Sequence, residues 1–144
     1  MNKEEIKKIL PHREPMLLVD EAYIKEDGTG CGYYTVKGDE FFLQGHFPGN
    51  PIVPGVIQCE MMAQSACILF KDEMLNGKIT PVYTGLDKVR FRSMIKPGDK
   101  IRIETKVLSK CHPMYKLQGK VYVEERLCMS GEFSFALIEE KEGD

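Results

Sequence analysis

Two patterns of apolar residues run along this chain: a long central segment apolar nearly all round, and every second residue through most of the C-terminal half. Before either, Ile6, Ile9 and Leu10 share one helical face, Asn2 stands at a capping position, Glu5 sits where a capping box needs it, and Pro11 stops the segment. A short helix is expected over residues 3–10. Residues 16–24 read as a strand, and the turn Asp27-Gly28-Thr29-Gly30 leads into a second over 32–36. Residues 38–53, with Gly38, Gly45, Pro48, Gly49, Asn50 and Pro51, are expected to be irregular. A helix is predicted over 54–76, with Pro54 suited to its first turn and Gly77 to the position past its end.

Apolar side chains lie all round that helix, from Val56 and Ile57 through Met61 and Met62 to Leu69 and Phe70, and leave no wide polar face. Such a helix is buried, in a core or in a membrane. Gln58, Glu60 and Gln64 interrupt it, and its longest apolar run, Ala66 to Phe70, falls far short of the roughly 18 residues of a membrane span. A protein layer is therefore expected around it, and the second half supplies one. Val89 and Phe91 alternate with Lys88, Arg90 and Arg92. Pro97-Gly98-Asp99 marks a turn, after which Ile101, Ile103, Thr105 and Val107 alternate with charged residues. Cys111-His112-Pro113 breaks the pattern; Leu117, Gly119, Val121 and Val123 resume it, and Leu127, Met129, Phe133 and Phe135 mark a last strand. One-sided alternation joined by short turns implies antiparallel strands with one face on the core. The fold class is α+β, a sheet curled around one buried helix.

Composition narrows the class of partner. The 144 residues suit one domain, 1–144, and 20 Lys+Arg against 22 Asp+Glu leave a formal charge of −2. That balance argues against nucleic acid or an anionic membrane as the main partner. With 42% hydrophobic and 29% charged residues, disordered and collagen-like classes drop out. The five cysteines, Cys31, Cys59, Cys67, Cys111 and Cys128, show no zinc-ribbon or redox spacing. The first residues have no apolar stretch of a secretory signal, so reduced thiols in the cytoplasm are expected.

Among polar residues in apolar surroundings, Glu60 stands first, inside the buried helix, with Gln64 at i+4 on the same face. A buried carboxylate is costly unless paired, hydrogen-bonded or protonated. The two side chains could instead serve nearby backbone or an oligomer contact. His46 is second, in Gly45-His46-Phe47-Pro48-Gly49-Asn50-Pro51, where two prolines and two glycines restrict the loop and can hold an imidazole in place. A loop-bonded structural histidine is the alternative. Taken together, a neutral His accepts a proton at physiological pH and a carboxyl kept protonated by burial donates one, which suits elimination or addition of water. Third, the amides of Gly55 and Val56 at the helix start lack helical partners and can hold a carbonyl oxygen that becomes negative. Gly55 could equally be there for close packing. A structural role is expected for His12 and an exposed turn for His112; Cys59 points about 100° from Glu60 and makes a poor nucleophile. Lys88, Arg90, Arg92 and Lys96 form a basic outward face, either simply solvated or a docking patch for an acidic carrier.

With those residues in place, the sequence resembles the β-hydroxyacyl-acyl carrier protein dehydratases of fatty acid synthesis, the FabZ type. The resemblance is carried by Leu10-Pro11-His12-Arg13-Glu14-Pro15-Met16-Leu17-Leu18-Val19-Asp20, by residues Phe41 through Gln64, and by Asp87-Lys88-Val89-Arg90-Phe91-Arg92 followed by Pro97-Gly98-Asp99. The three lie in the family's order and His46 and Glu60 fall at the family's spacing. The resemblance implies a hotdog fold and paired subunits, commonly a trimer of dimers. It places the acyl tunnel at the subunit interface, with His46 of one subunit facing Glu60 of the other. Val53 stands where the family usually has Met, and Met61 where a small residue is common, so chain-length preference shifts if either lines the tunnel. Glu60 in place of Asp favours the FabZ type over the related dehydratase-isomerases.

The expected reaction converts a (3R)-hydroxyacyl thioester on acyl carrier protein to the trans-2-enoyl thioester and water. In it His46 is the base, Glu60 the acid, Gln64 a support, and the Gly55 and Val56 amides the oxyanion site. No metal or other cofactor is expected, because the thioester itself acidifies the α-proton. A hotdog acyl thioesterase using Glu60 to activate water, and a non-catalytic acyl-binding subunit, are the rival readings.

Overall fold

The computed structural model describes residues 1–45, 49–75 and 79–139. Asn2 caps the first helix, α1 (Lys3–Lys7), accepting from Glu5 N while the Glu5 side chain accepts from Asn2 N. This is the capping box the sequence signals, on a helix shorter than the predicted 3–10. Ile6, Ile9 and Leu10 are nevertheless all buried, so the anticipated face exists beyond the regular turns.

Strand β1 spans Glu21–Ile24, β2 Gly30–Thr35, β3 Ile79–Phe91, β4 Lys100–Cys111, β5 Met114–Val123 and β6 Arg126–Glu139. They form one antiparallel sheet in the order β1-β2-β4-β5-β6-β3. β1 is shorter than the predicted strand over 16–24. Residues 16–19 lie outside the strand and bond to a side chain: Leu18 N donates to Gln64 Oε1 (2.8 Å) and Gln64 Nε2 donates to Met16 O (2.8 Å). Gln64 therefore occupies the place a neighbouring strand would take, satisfying backbone groups that burial would otherwise leave unpaired.

The central helix, α2 (Gly55–Ala66), starts after Pro54, tightens into a 3-10 stretch at Cys67–Phe70, and continues as α3 (Lys71–Leu75). Its predicted end at Asn76 and Gly77 lies outside the described residues. Met61, Met62, Ala66 and Phe70 are fully buried against the inward row Ile101, Ile103, Leu117, Val121, Met129 and Phe133. Two glycines set how closely helix and sheet approach. A Cβ on Gly32 would run into Ser65, and one on Gly119 into Met62. Sheet glycines opposite a helix commonly mark this kind of close backbone approach.

The alternation read for β3 is only partly realised. A bulge separates Asp87 from Arg90, and Lys88 takes φ 53 within it. Val89 is half-buried, but Phe91, expected inward, is 54% exposed. A bulge adds a residue to one strand and breaks the period-two rule that assigns sides.

Candidate active site

Glu60 lies one turn into α2, its side chain 27% exposed. The i+4 relation brings Gln64 Nε2 to 3.2 Å from Glu60 Oε1. The same amide nitrogen also donates to Met16 O, and the Gln64 carbonyl accepts from Leu18 N. Gln64 is thus fixed by the backbone of residues 16–18 and fixes Glu60 in turn.

The second partner of Glu60 is one the sequence did not identify. His12 Nε2 lies 3.4 Å from Glu60 Oε1. Its neighbour Arg13 ties down the segment that carries it: the guanidinium donates to Lys7 O (3.1 Å), Leu10 O (2.9 Å) and His12 O (2.6 Å). These are carbonyls at and beyond the end of α1, which a nearby Arg commonly satisfies. The Leu10-Pro11-His12-Arg13 stretch therefore has a local reason for its shape. Periodicity could not have paired His12 with Glu60, because the two are joined only through the tertiary fold.

Burial pushes the Glu60 carboxyl up, but the hydrogen bonds from His12 and Gln64 outweigh it and hold the carboxyl below the usual range. With its carboxyl held below the usual range, Glu60 is in its ionised form at neutral pH, and burial is the one influence that opposes this. Tyr83 of β3, whose hydroxyl donates to Cys59 O, stands near the same carboxylate, and burial raises its phenol. Burial also raises the Cys59 thiol and pushes Cys67 up to about 12, so neither is a thiolate near pH 7. His12, Glu60, Gln64, Cys67, Tyr83 and Phe135 line a cavity of about 40 Å³.

Gly55 and Val56 are placed elsewhere, on an open groove of about 770 Å³ beside Ile52, Phe91 and Met94. Ile57 N and Gln58 N both donate to Pro54 O, while the Gly55 and Val56 amides have no partner among the described residues. The ring of Phe91 lies over Gly55, where a Cβ would come within 2.7 Å of it. Val53 and Met61 are buried, and Val56 is 76% exposed. His46 lies outside the described residues. Thus the structure joins Glu60 to Gln64 and His12, and puts the two helix-start amides on a different opening. The basic residues Lys88, Arg90, Arg92 and Lys96 are all exposed, Lys88 pairing with Glu132 at 3.2 Å. His112, expected to be exposed, is so, with its Nδ1 2.8 Å from the Tyr115 hydroxyl. Among the described residues no helix is long and apolar enough to cross a membrane, and no group of three or more His, Cys, Asp or Glu side chains could hold a metal ion.

The FabA-like domain family matches residues 10–132. The chain is 44% identical to the 3-hydroxyacyl-[acyl-carrier-protein] dehydratase FabZ of Alkaliphilus metalliredigens, over 96% of this chain and 95% of that one. It is 45% identical to the enzyme of the same name from Petrotoga mobilis, over 92% and 94%. Among solved structures it resembles the dehydratase heterocomplex ApeI:P from Xenorhabdus doucetiae, with a TM-score of 0.80 at 19% identity, covering 94% of this chain and 91% of that one. The architecture is the hotdog fold, a curved antiparallel sheet around one long helix. The chain belongs to the FabA-like family and, within it, to the FabZ-type 3-hydroxyacyl-acyl carrier protein dehydratases.

Proposed function

We propose that this protein dehydrates (3R)-hydroxyacyl thioesters on acyl carrier protein to trans-2-enoyl thioesters in fatty acid biosynthesis, as one dehydratase domain over residues 1–144 acting in the cytoplasm. The observation that carries the reading is Glu60, a carboxylate gripped inside the central helix of a chain in this family.

His46 takes the α-proton. The electron pair of that C–H bond becomes the new Cα=Cβ bond, the Cβ–O bond breaks, and Glu60 delivers a proton to the departing hydroxyl, which leaves as water. The Gly55 and Val56 amides receive the thioester oxygen as charge develops on it. Gln64 steadies Glu60. An acid role requires the Glu60 carboxyl to gain a proton. Covering it with substrate and a second chain increases burial, the influence that raises it, and moves it toward that form.

Two copies of the chain share each site in this reading, as a homodimer and then a trimer of dimers. Two features support it. The cavity of about 40 Å³ beside Glu60 is far below the roughly 300–1,000 Å³ of small-molecule pockets, so more wall is needed than the described residues supply. β3, at the edge of the sheet, also exposes Val82, Leu86 and Phe91, apolar area that a second chain would cover. The acidic carrier docks on Lys88, Arg90, Arg92 and Lys96.

The test is dehydration of a hydroxyacyl carrier substrate, followed by enoyl absorbance. His46→Ala and Glu60→Ala each lower the rate by about 10²–10⁴-fold without loss of the folded state. Parent-rate turnover by either variant overturns the assignment. Free thiol released from an acyl thioester lacking a β-hydroxyl would instead mark a thioesterase.

A further inference from the structure

His12 was expected to be structural, and its surroundings argue otherwise. A structural histidine ties two pieces of backbone together through its ring nitrogens. Here Nδ1 is buried without a hydrogen-bond partner among the described residues, and Nε2 meets Glu60 Oε1. Among the described residues, the one polar engagement of the ring is with the carboxylate. The main chain around it is fixed independently by Arg13, so the imidazole is not needed to hold its own segment.

Both described contacts of the carboxylate, from His12 at 3.4 Å and from Gln64 at 3.2 Å, fall on the same oxygen, Oε1. We propose that His12 is a positioning residue for Glu60: with Gln64 it grips Oε1 from two directions, so that Oε2 is the oxygen presented to the substrate hydroxyl. This rests on the reading of Glu60 given above. The two grips are not equivalent. Gln64 belongs to the same helix as Glu60 and moves with it, whereas His12 comes from the segment before β1 and anchors the carboxylate to a second element. A side chain held by two elements keeps its geometry better than one held by its own helix, and displacements of about 1 Å at a reacting group cost on the order of 10²-fold in rate.

The grip also sets how readily Glu60 takes a proton, since a hydrogen bond donated to the charged form favours that form. The titratable groups around Glu60 are His12 before β1, Cys67 on the helix and Tyr83 on β3, which share its cavity, and Cys59, its neighbour along the helix; Phe135 of β6 carries no charge. Burial keeps the two thiols and the phenol neutral near pH 7, so among the described residues His12 is the one of these whose loss moves Glu60.

The experiment compares His12→Phe, which keeps a ring but removes the donor, with His12→Gln, which restores a donor. Each is measured for kcat, KM and the Glu60 titration midpoint, followed by carboxyl NMR. His12→Phe is expected to lower kcat about tenfold with KM little changed and to raise the Glu60 midpoint. His12→Gln is expected to recover most of both. Parent values of kcat and midpoint in His12→Phe, or equal losses in the two variants, overturn the proposal. If His12→Phe does not fold, His12→Ala is judged by the same readouts. The NMR midpoint needs no turnover, which separates the two claims. Parent-rate dehydration by Glu60→Gln would sink the reading of the site. An unmoved midpoint in His12→Phe beside an inactive Glu60→Gln would sink the positioning role alone.

Discussion

The two ends of the sheet are finished in opposite ways. At one end, β1 has only four residues, and the main chain of Met1 covers its outer edge: Ala22 N donates to Met1 O (3.1 Å) and the Met1 ammonium donates to Ala22 O (2.7 Å). Just before β1, Gln64 closes residues 16–18 onto the helix. At the other end, β3 runs for thirteen residues, pairs with β6 alone, and has no strand on its outer side among the described residues. Val82, Leu86 and Phe91 along it are about half exposed. A long, apolar, unpaired edge is a template for another chain, and proteins that stay monomeric usually shorten, charge or cover such an edge. This chain shortens and covers its edge at β1, whereas β3 stays long and uncovered and is interrupted only by Pro81, two register shifts and the charged Asp87, Lys88 and Arg90. The contrast is between a short, covered edge and a long, uncovered one that carries apolar residues with the basic Lys88, Arg90 and Arg92 beside them.

The sharpest way to break the contrast is to charge the open edge. Under the proposed pairing of two copies, Leu86→Lys together with Val82→Lys should leave single chains in sedimentation where the parent sediments as a dimer or larger. Activity at low protein concentration should fall by at least about tenfold, because removing the apolar contact loses roughly 1.5–3 kcal/mol per buried side chain. An unchanged sedimentation profile would mean that β3 is not where copies meet. Next in size is the closed end. Gln64→Leu removes two bonds to backbone and leaves the buried Leu18 N unpaired, a cost of about 1–3 kcal/mol, with less from the exposed Met16 O, read from denaturant midpoints. Stability at the parent value would show that water or a shift of the 16–18 segment replaces the amide. Smaller again is Arg90→Glu, expected to raise KM severalfold for carrier-linked substrate and not for a short thioester mimic, with the difference shrinking in salt. Equal changes on both substrates would remove the docking role. The least effect belongs to Tyr23→Lys on β1. There the exposed ring leans on Tyr33, and stability should stay within about 0.5 kcal/mol, with assembly unchanged. A loss of assembly would erase the difference between the two ends.

Legibility followed the range of the physics. The capping box at Asn2 and Glu5, the helix opening after Pro54, and the alternation of β4 and β5 are local, and each appears where spacing put it. The i+4 pair Glu60 and Gln64 is also local and was found as a pair. The strand expected over 16–24 is shorter in the structure because apolar spacing reports burial, not the identity of the hydrogen-bond partner, and the partner of Leu18 N is a glutamine 46 residues away. Phe91 was assigned inward because no spacing rule foresees a bulge.

By itself the sequence determined a buried central helix, strands of period two to enclose it, and a carboxylate stranded on that helix. These follow from a helix apolar all round, from the 2-residue period of the strands and from the cost of burying charge. Only the tertiary structure decided that the carboxylate is gripped by His12. It also decided that Glu60 is ionised although partly buried, and that the sheet is closed at β1 and open at β3. Each of these depends on which distant segments meet, and hydrogen bonds and solvent exclusion between such segments leave no period along the chain to be read.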